Sequence, residues 1–318
     1  MAGNTLGVTL GLSDGLKVDN SVSVVVCTYN RAARLEKCLD ALLAMNEPDD
    51  LRWEVVCVDS STDETKLIVE EFARHSRIPI RYVFESDLRL SCARNTGLRH
   101  AVGNILAFTD DDCLVDRSWL VNIWRAFNED ASLAMLGGRL ELRNHDDLPI
   151  SVRPFKERVV LGLTNFFNYI GTSNMAFRRR VISRVGMFDP EFGPGSSLLA
   201  AEDSDFVYRG LKAGFKSIYD PDVLAFHDHG RRTELERTET QRAYITARGA
   251  FYLKNILQGD PQAMRLALWE SVPLVKQVFR RLAARRAPGD EARFLGYLMK
   301  GAYLYLRVRT RRAMGVRG

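Results

Sequence analysis

No stretch of this 318-residue chain approaches the eighteen or so apolar residues of a membrane-spanning helix, so an integral membrane protein is not expected. Residues 1–20 carry neither a basic start nor a continuous apolar segment, so no secretory leader is expected there. Cysteine is scarce. Cys27, Cys38, Cys57, Cys92 and Cys113 are odd in number, with no CxxC spacing and no Cys/His cluster. That argues against a disulfide framework or a zinc ribbon and predicts reduced, mostly buried thiols in a cytoplasmic protein. Glycine-rich phosphate loops are also missing. The turn after the first expected strand reads Thr28-Tyr29-Asn30-Arg31, with no GxGxxG to let backbone approach a pyrophosphate. Residues 22–40 likewise lack the Gly-rich basic loop typical of nucleotidyltransferases. Phosphate charge, if bound here, must be met by a metal and by arginine.

The composition is that of a folded protein, with 46% apolar and 27% charged residues and enough length for a large core. The net charge of +5 is unevenly placed. Residues 262–318 hold thirteen Lys/Arg against three Asp/Glu, about +10, which leaves the preceding chain near −5. Leu, Phe, Tyr and Trp are interleaved with those cations, a pattern that suits an anionic membrane surface. Nucleic acid is the weaker partner, because no recognition motif accompanies the charge.

Periodicity gives the order of elements. Val22–Cys27 is a β-branched run, and Leu35, Leu39, Leu42 and Leu43 follow at helical spacing. The unit repeats as Trp53–Val58, ending at Asp59, and a helical Thr65–His75. Ile80–Phe84 is a third strand, Leu90–Val102 is helical, and Asn104–Thr109 is a fourth strand. Strands alternating with helices at this spacing predict a mostly parallel α/β sheet with right-handed crossovers. A helix near Ser118–Phe127 and a strand at Leu133–Leu142 follow, then a poorly periodic stretch, Asn144–Leu163, that reads as a lid loop. Further on come a strand near Gly171–Arg179, a helix through Val181–Val185, a helix from Glu202 to Lys212, and short strands at Ser217–Tyr219 and Val223–Phe226. From Glu234 the chain is helical, with two amphipathic stripes that could pack on the core, form a dimer or meet a membrane.

The fourth strand ends in Asp110-Asp111-Asp112, three carboxylates that repel one another unless something neutralises them. Hard divalent cations take oxygen ligands, and Mg²⁺ or Mn²⁺ is commonly held by one or two carboxylates together with substrate phosphates. The carboxyl ends of strands are where open α/β sheets bind ligands. The plain alternative is a solvated acidic turn.

Six motifs in order carry a resemblance. They are Val24-Val25-Val26-Cys27-Thr28-Tyr29-Asn30-Arg31, Val58-Asp59-Ser60-Ser61-Thr62-Asp63, Ala93-Arg94-Asn95-Thr96-Gly97, Asp110-Asp111-Asp112, Gly171-Thr172-Ser173-Asn174 and Glu202-Asp203-Ser204-Asp205. Across residues 20–230, about two thirds of the chain, the sequence resembles the family 2 glycosyltransferases. The resemblance implies a GT-A fold and transfer, with inversion, of a sugar from a UDP-, dTDP- or GDP-linked donor to a hydroxyl acceptor, in the presence of Mn²⁺ or Mg²⁺. The acceptor would belong to glycan, polysaccharide or glycolipid assembly and could be lipid-linked.

By that resemblance Thr28, Tyr29, Arg31 and Asp59 hold the base and ribose. Asp59 suits the imide N–H of uracil or thymine, and Arg94 has a fork suited to diphosphate oxygens. Asp110 and Asp111 belong to the donor site and Asp112 to the metal. Glu202 and Asp203 start a helix; the resemblance makes Asp203 the general base and Glu202 its support, and simple complementation of the helix dipole is the alternative. Thr172 and Asn174 fall on the acceptor side. His227 and His229 share one side of a strand at period two, and either could be a metal ligand, with His227 preferred because it directly follows the apolar run. Gly230-Arg231-Arg232-Thr233 resembles a segment that closes over the diphosphate.

The expected organisation is a loose lead-in over 1–20, a catalytic domain over 21–232 and a basic helical extension over 233–318. Within the catalytic domain, 21–125 is the donor half and 126–232 the acceptor half. A nucleotidyltransferase and a non-catalytic nucleotide-sugar-binding protein are the competing functions.

Overall fold

The computed structural model describes residues 21–314, so the lead-in expected over 1–20 lies outside the described residues. The first strands are β1 (Val22–Thr28), β2 (Trp53–Asp59), β3 (Ile80–Phe84) and β4 (Ile105–Asp110). The β-branched runs of β1 and β2 are buried along their whole length, as parallel strands covered on both faces must be. Between the strands run α1 (Ala32–Leu43), α2 (Thr65–His75) and α3 (Leu90–His100). Leu35, Leu39 and Leu42 of α1 are buried against the sheet. These four strands pair in the order β3-β2-β1-β4, all parallel. The register sets Thr28 opposite Asp59 and Cys27 opposite Asp110, which brings three strand ends to one edge.

Beyond β4 the sheet is mixed. The chain continues through β5 (Cys113–Val115), α4 (Trp119–Glu129), β6 (Leu133–Leu142), β7 (Val159–Val160), β8 (Asn174–Arg178), α5 (Arg180–Val185), α6 (Glu202–Lys212) and β9 (Lys216–His227). β8 lies antiparallel between β4 and β6, whereas β6 and β9 are parallel. Its direction differs from the first half because it follows a long connection instead of a βα crossover. That connection is pinned to the sheet by a bridge from Arg153 to Leu140 and by β7 on β9. The two short strands expected at Ser217–Tyr219 and Val223–Phe226 are one strand, β9. A register shift opposite Gly138 and Arg139 absorbs the Asp220-Pro221 interruption.

The tail forms α7 (Glu234–Leu257), α8 (Pro261–Ala283) and α9 (Asp290–Ala313), three helices where two stripes were read. Thr233 and Glu236 make a reciprocal capping box at the start of α7, and Asp260 caps α8 ahead of Pro261. Ala250 and Phe251 of α7 enter the same core as Phe108, Phe177 and Phe206, so α7 packs into the body of the sheet. α9 lies on α7 at near backbone contact: a Cβ at Gly301 would sit 1.7 Å from the Thr246 carbonyl oxygen, and one at Gly249 would sit 2.0 Å from that of Leu298. Gly301→Ala is therefore expected to push the helices apart and cost about 1–3 kcal/mol, read as a lower midpoint of urea unfolding.

Lys254 fixes α7 to α6. Its Nζ lies 2.6 Å from Asp205 Oδ1 and 2.9 Å from Asp189 Oδ2, and Asp205 is fully buried. Lys254→Met is expected to destabilise by about 3 kcal/mol, since two carboxylates lose a cation in a site that water reaches poorly. Burial pushes the Asp189 carboxyl up, but the Lys254 ammonium overrides it and holds the group below its ordinary value. A depressed carboxyl contributes stability that is complete above its unfolded pKa and is lost as pH falls through the folded value. Unfolding midpoints of the wild type should consequently fall more steeply below about pH 4 than those of Lys254→Met.

Candidate active site

The acidic triplet sits where β4 ends beside β1. Asp111 accepts a hydrogen bond from Thr28 Oγ1 at 2.8 Å, and Arg31 Nη1 bridges Asp111 and Asp112 at 3.0 and 3.2 Å. Arg34, one helical turn beyond Arg31, adds a contact to Asp112 at 3.6 Å. The repulsion inherent in three adjacent carboxylates is thus met at Asp111 and Asp112 by two arginines at the start of α1 and by a hydroxyl. Burial pushes the Asp111 carboxyl up to about 6 against the pull of Arg31. Burial acts the same way on Asp112, but the hydrogen bond and charge of His227, with help from Arg31 and Arg34, hold it at about 2.

β5 pairs with the end of β9 so that Cys113 stands opposite His227, and the Asp228 amide donates to the Asp112 carbonyl at 2.7 Å. This pairing carries His227 Nε2 to 3.3 Å from Asp112 Oδ1. One potential ligand atom from each of Asp112, Cys113 and His227 lies within 4.8 Å of the others. Among the described residues, buried His227 Nδ1 has no hydrogen-bond partner. A carboxylate beside an imidazole fits a hard or borderline divalent cation, and the orphaned nitrogen shows that the ring is not satisfied by the protein alone. Cys113 adds little to that set, because sulfur is a soft ligand poorly matched to the hard cations Mg²⁺ and Mn²⁺.

His229 lies against His227, with ring centroids 4.8 Å apart, and its Nε2 is likewise buried without a hydrogen-bond partner among the described residues. Its Nδ1 accepts the Arg231 amide at 2.9 Å and lies 3.6 Å from Asp147, which also takes the Gly230 amide and Arg232 Nε. Of the two candidate ligands it is His227 that stands beside Asp112, while His229 Nδ1 holds the 230–232 turn near Asp147.

The second wall is the start of α6. Leu199 and Ala201 both have left-handed backbone, φ 69° and 71°, an uncommon state for residues with a Cβ. It turns two adjacent carboxylates inward. Glu202 is buried, and its Oε1 lies 2.5 Å from Arg94 Nη1, whose other arm reaches Asp110 at 3.3 Å. Burial raises the Glu202 carboxyl despite Arg94. Arg94 therefore ties the fourth strand end to α6 while still lining the cavity. Asp203 is half-buried. Its Oδ1 accepts the Ser204 amide at 2.6 Å, and among the described residues Oδ2 has no hydrogen-bond donor.

These walls enclose a cavity of about 640 Å³ lined by Thr28, Tyr29, Arg31, Arg94, Asp110, Asp111, Asp112, Thr172, Glu202, Asp203 and His227. Three expected residues lie off its wall, His229 among them. Asn174 spends its amide on the scaffold: Oδ1 accepts Trp119 Nε1, and Nδ2 donates to the Arg139 and Val223 carbonyls, all at 2.8 Å. Asp59 accepts the Tyr82 hydroxyl at 3.0 Å and the Ser61 amide at 2.8 Å, behind the cavity-lining Ser60. Arg153, Tyr244 and Arg248 line the far end and were not foreseen. Arg34 had a readable signal, three residues after Arg31 on the same helix. Tyr244 and Arg248 share a helical face at spacing four, but nothing local says which way that face points.

A family model described as "Glycosyl transferase family 2" matches residues 23–186. Glycosyltransferase AglE of Haloferax volcanii is 28% identical over 210 residues, 65% of this chain and 66% of the relative. Chondroitin synthase of Escherichia coli is 27% identical over 259 residues, 69% of this chain but 36% of that protein. The matches thus span just under two thirds of the first relative and about a third of the second. In fold, the chain is similar to a mannosyltransferase, PcManGT from Pyrobaculum calidifontis, solved in complex with GDP-Man and Mn²⁺. The TM-score is 0.60 at 22% identity, covering 90% of this chain and 86% of that one. It is also similar to S. aureus TarS 1–349 in complex with UDP-GlcNAc, with TM-score 0.56 at 19% identity, covering 93% and 92%.

Proposed function

The chain belongs to glycosyl transferase family 2, and we propose that it is a divalent-metal-dependent enzyme moving a sugar, with inversion, from a nucleoside diphosphate to a hydroxyl acceptor. The observation that carries this is the meeting, in one cavity, of the Asp110–Asp112 cluster with His227 and the unpartnered Asp203 Oδ2. The complexes of PcManGT with GDP-Man and Mn²⁺ and of TarS with UDP-GlcNAc support a nucleotide-sugar donor. In this proposal Thr28, Tyr29 and Arg31 meet the nucleoside and Asp59 accepts an N–H of the base. Asp110 and Asp111 border the ribose and sugar, with Arg231 above the diphosphate.

Asp112 and His227 would hold Mn²⁺ or Mg²⁺, which when bound supplies positive charge against the leaving diphosphate. The chain's own groups handle the proton. Asp203 Oδ2 takes it from the acceptor hydroxyl as the oxygen attacks the anomeric carbon, and the bond from that carbon to the diphosphate oxygen breaks. Glu202 and Arg94 fix the angle at which Asp203 enters, and Thr172 borders the acceptor. One displacement inverts the centre. The acceptor would belong to glycan, polysaccharide or glycolipid assembly, a setting the relatives' names support. Free thiols at all five cysteines support a reducing, cytoplasmic location.

Incubation with UDP-, GDP- and dTDP-sugars tests this by release of the nucleoside diphosphate, followed by NMR of the transferred linkage. Turnover of one α-linked donor to a β-linked product, lost in EDTA and restored by Mn²⁺, is the expected result. A retained anomeric configuration, or turnover indifferent to EDTA, contradicts it.

A further inference from the structure

α8 is amphipathic in an unusual sense. Ala263 and Leu266 on its inner side are buried in the core, and Glu270 reaches inward to Arg248 at 2.5 Å and the Tyr252 hydroxyl at 2.7 Å. The apolar residues Met264, Leu268, Val272, Val275, Phe279 and Leu282 recur at steps of three and four, which on a helix is one stripe. Every one of them is exposed, Phe279 by 66%, and Trp269 beside the stripe by 77%. Contiguous apolar surface of this length on a folded chain marks a contact with something.

The charge says what. Between residues 261 and 289 there are six Lys/Arg and one acidic residue, Glu270, which is already taken inside. At 100° per residue Arg265, Lys276 and Arg280 fall together along one flank of the stripe, and none has a carboxylate partner among the described residues. We propose that this face of α8 docks on an anionic lipid bilayer, with the stripe and Trp269 entering the headgroup boundary and the basic flank lying against lipid phosphates. A second copy of the chain fits poorly, since pairing two such faces would bring like charges together. No helix among the described residues is long and apolar enough to cross a membrane, so the contact lies in the surface plane.

The consequence touches the cavity. Arg248, held by Glu270 of α8, lines the end of the cavity beyond Asp203. Docking would hold that end one helix diameter, roughly 10 Å, behind the bilayer surface, on the side from which a lipid-linked acceptor would present its hydroxyl. That last step rests on the proposed transferase activity; the docking surface itself does not.

Flotation with vesicles of phosphatidylcholine alone, and of phosphatidylcholine mixed with phosphatidylglycerol, tests the surface. The full chain should bind the mixed vesicles, lose most of that binding at high salt, and ignore the neutral ones. The double variant Trp269→Glu/Phe279→Glu, with an unchanged melting temperature, should bind at least about tenfold more weakly. Equal binding to both vesicle types, or unimpaired binding by the double variant, overturns the proposal. So does a wild-type dimer in sedimentation velocity that the double variant splits, which would assign the face to a second copy. Donor turnover in detergent-free solution, measured alongside, should be the same in both proteins. Vesicle binding without turnover would defeat the transferase reading and leave the docking surface standing.

Discussion

Asp203→Asn is expected to lower turnover about a thousandfold while donor affinity stays nearly unchanged, the range by which a positioned general base accelerates proton removal. Asn keeps the size of the side chain and can still accept the Ser204 amide through its carbonyl oxygen, as Asp203 Oδ1 does now at 2.6 Å. What it cannot do is take a proton at the position of Oδ2. The left-handed backbone at Leu199 and Ala201 and the Glu202–Arg94 pair remain, so the residue stays where it is. Single-turnover kinetics separate the chemical step from binding. If Asp203→Asn retained full turnover, the base would have to be another group, and the assignment of the α6 wall would fail.

Asp112→Ala should weaken Mn²⁺-dependent nucleotide binding by at least about a hundredfold, beyond what loss of an outer-sphere partner alone usually costs. The variant removes a carboxylate that now engages Arg31, Arg34 and His227. Both arginines are partly exposed and Arg31 keeps Asp111, so the fold should survive, which a melting curve can verify. Cys113→Ala is the companion experiment. The thiol stands within the same cluster but is a soft ligand, so its loss should leave metal-dependent binding nearly unchanged. Reversal of the two outcomes would mean a thiolate site for a different metal.

What the sequence makes legible here depends on how local the cause is. β1 and β2 announce themselves by unbroken β-branched runs, and α6 begins at the expected Glu202 because its carboxylates favour a helix amino terminus. The sheet's second half is less readable. Whether β8 runs with or against β4 is decided by a long connection whose path local periodicity does not encode. The two histidines show the limit of a spacing rule: period two holds within a strand, but β9 ends at His227, and His229 lies past it in a turn with its own partners. Arg94 and Glu202 are 108 residues apart, so their pairing is a product of the fold. Over α8 the periodicity reads as a stripe of Leu266, Trp269, Val272, Val275, Val278, Phe279 and Leu282, yet Leu266 is buried and the exposed stripe runs through Met264 and Leu268 instead; an apolar stripe reports that a partner exists and not which one it is.

The central claim is that the triplet at the end of β4 and His227 form a metal-dependent nucleotide site. Calorimetric titration of the wild-type chain with UDP, GDP and dTDP, each in Mn²⁺ and in EDTA, tests it most directly. One nucleotide should bind in Mn²⁺ and fall below detection in EDTA, and its base then narrows the donor. Binding of none of them by the folded protein, or binding equally strong in EDTA, would contradict the account.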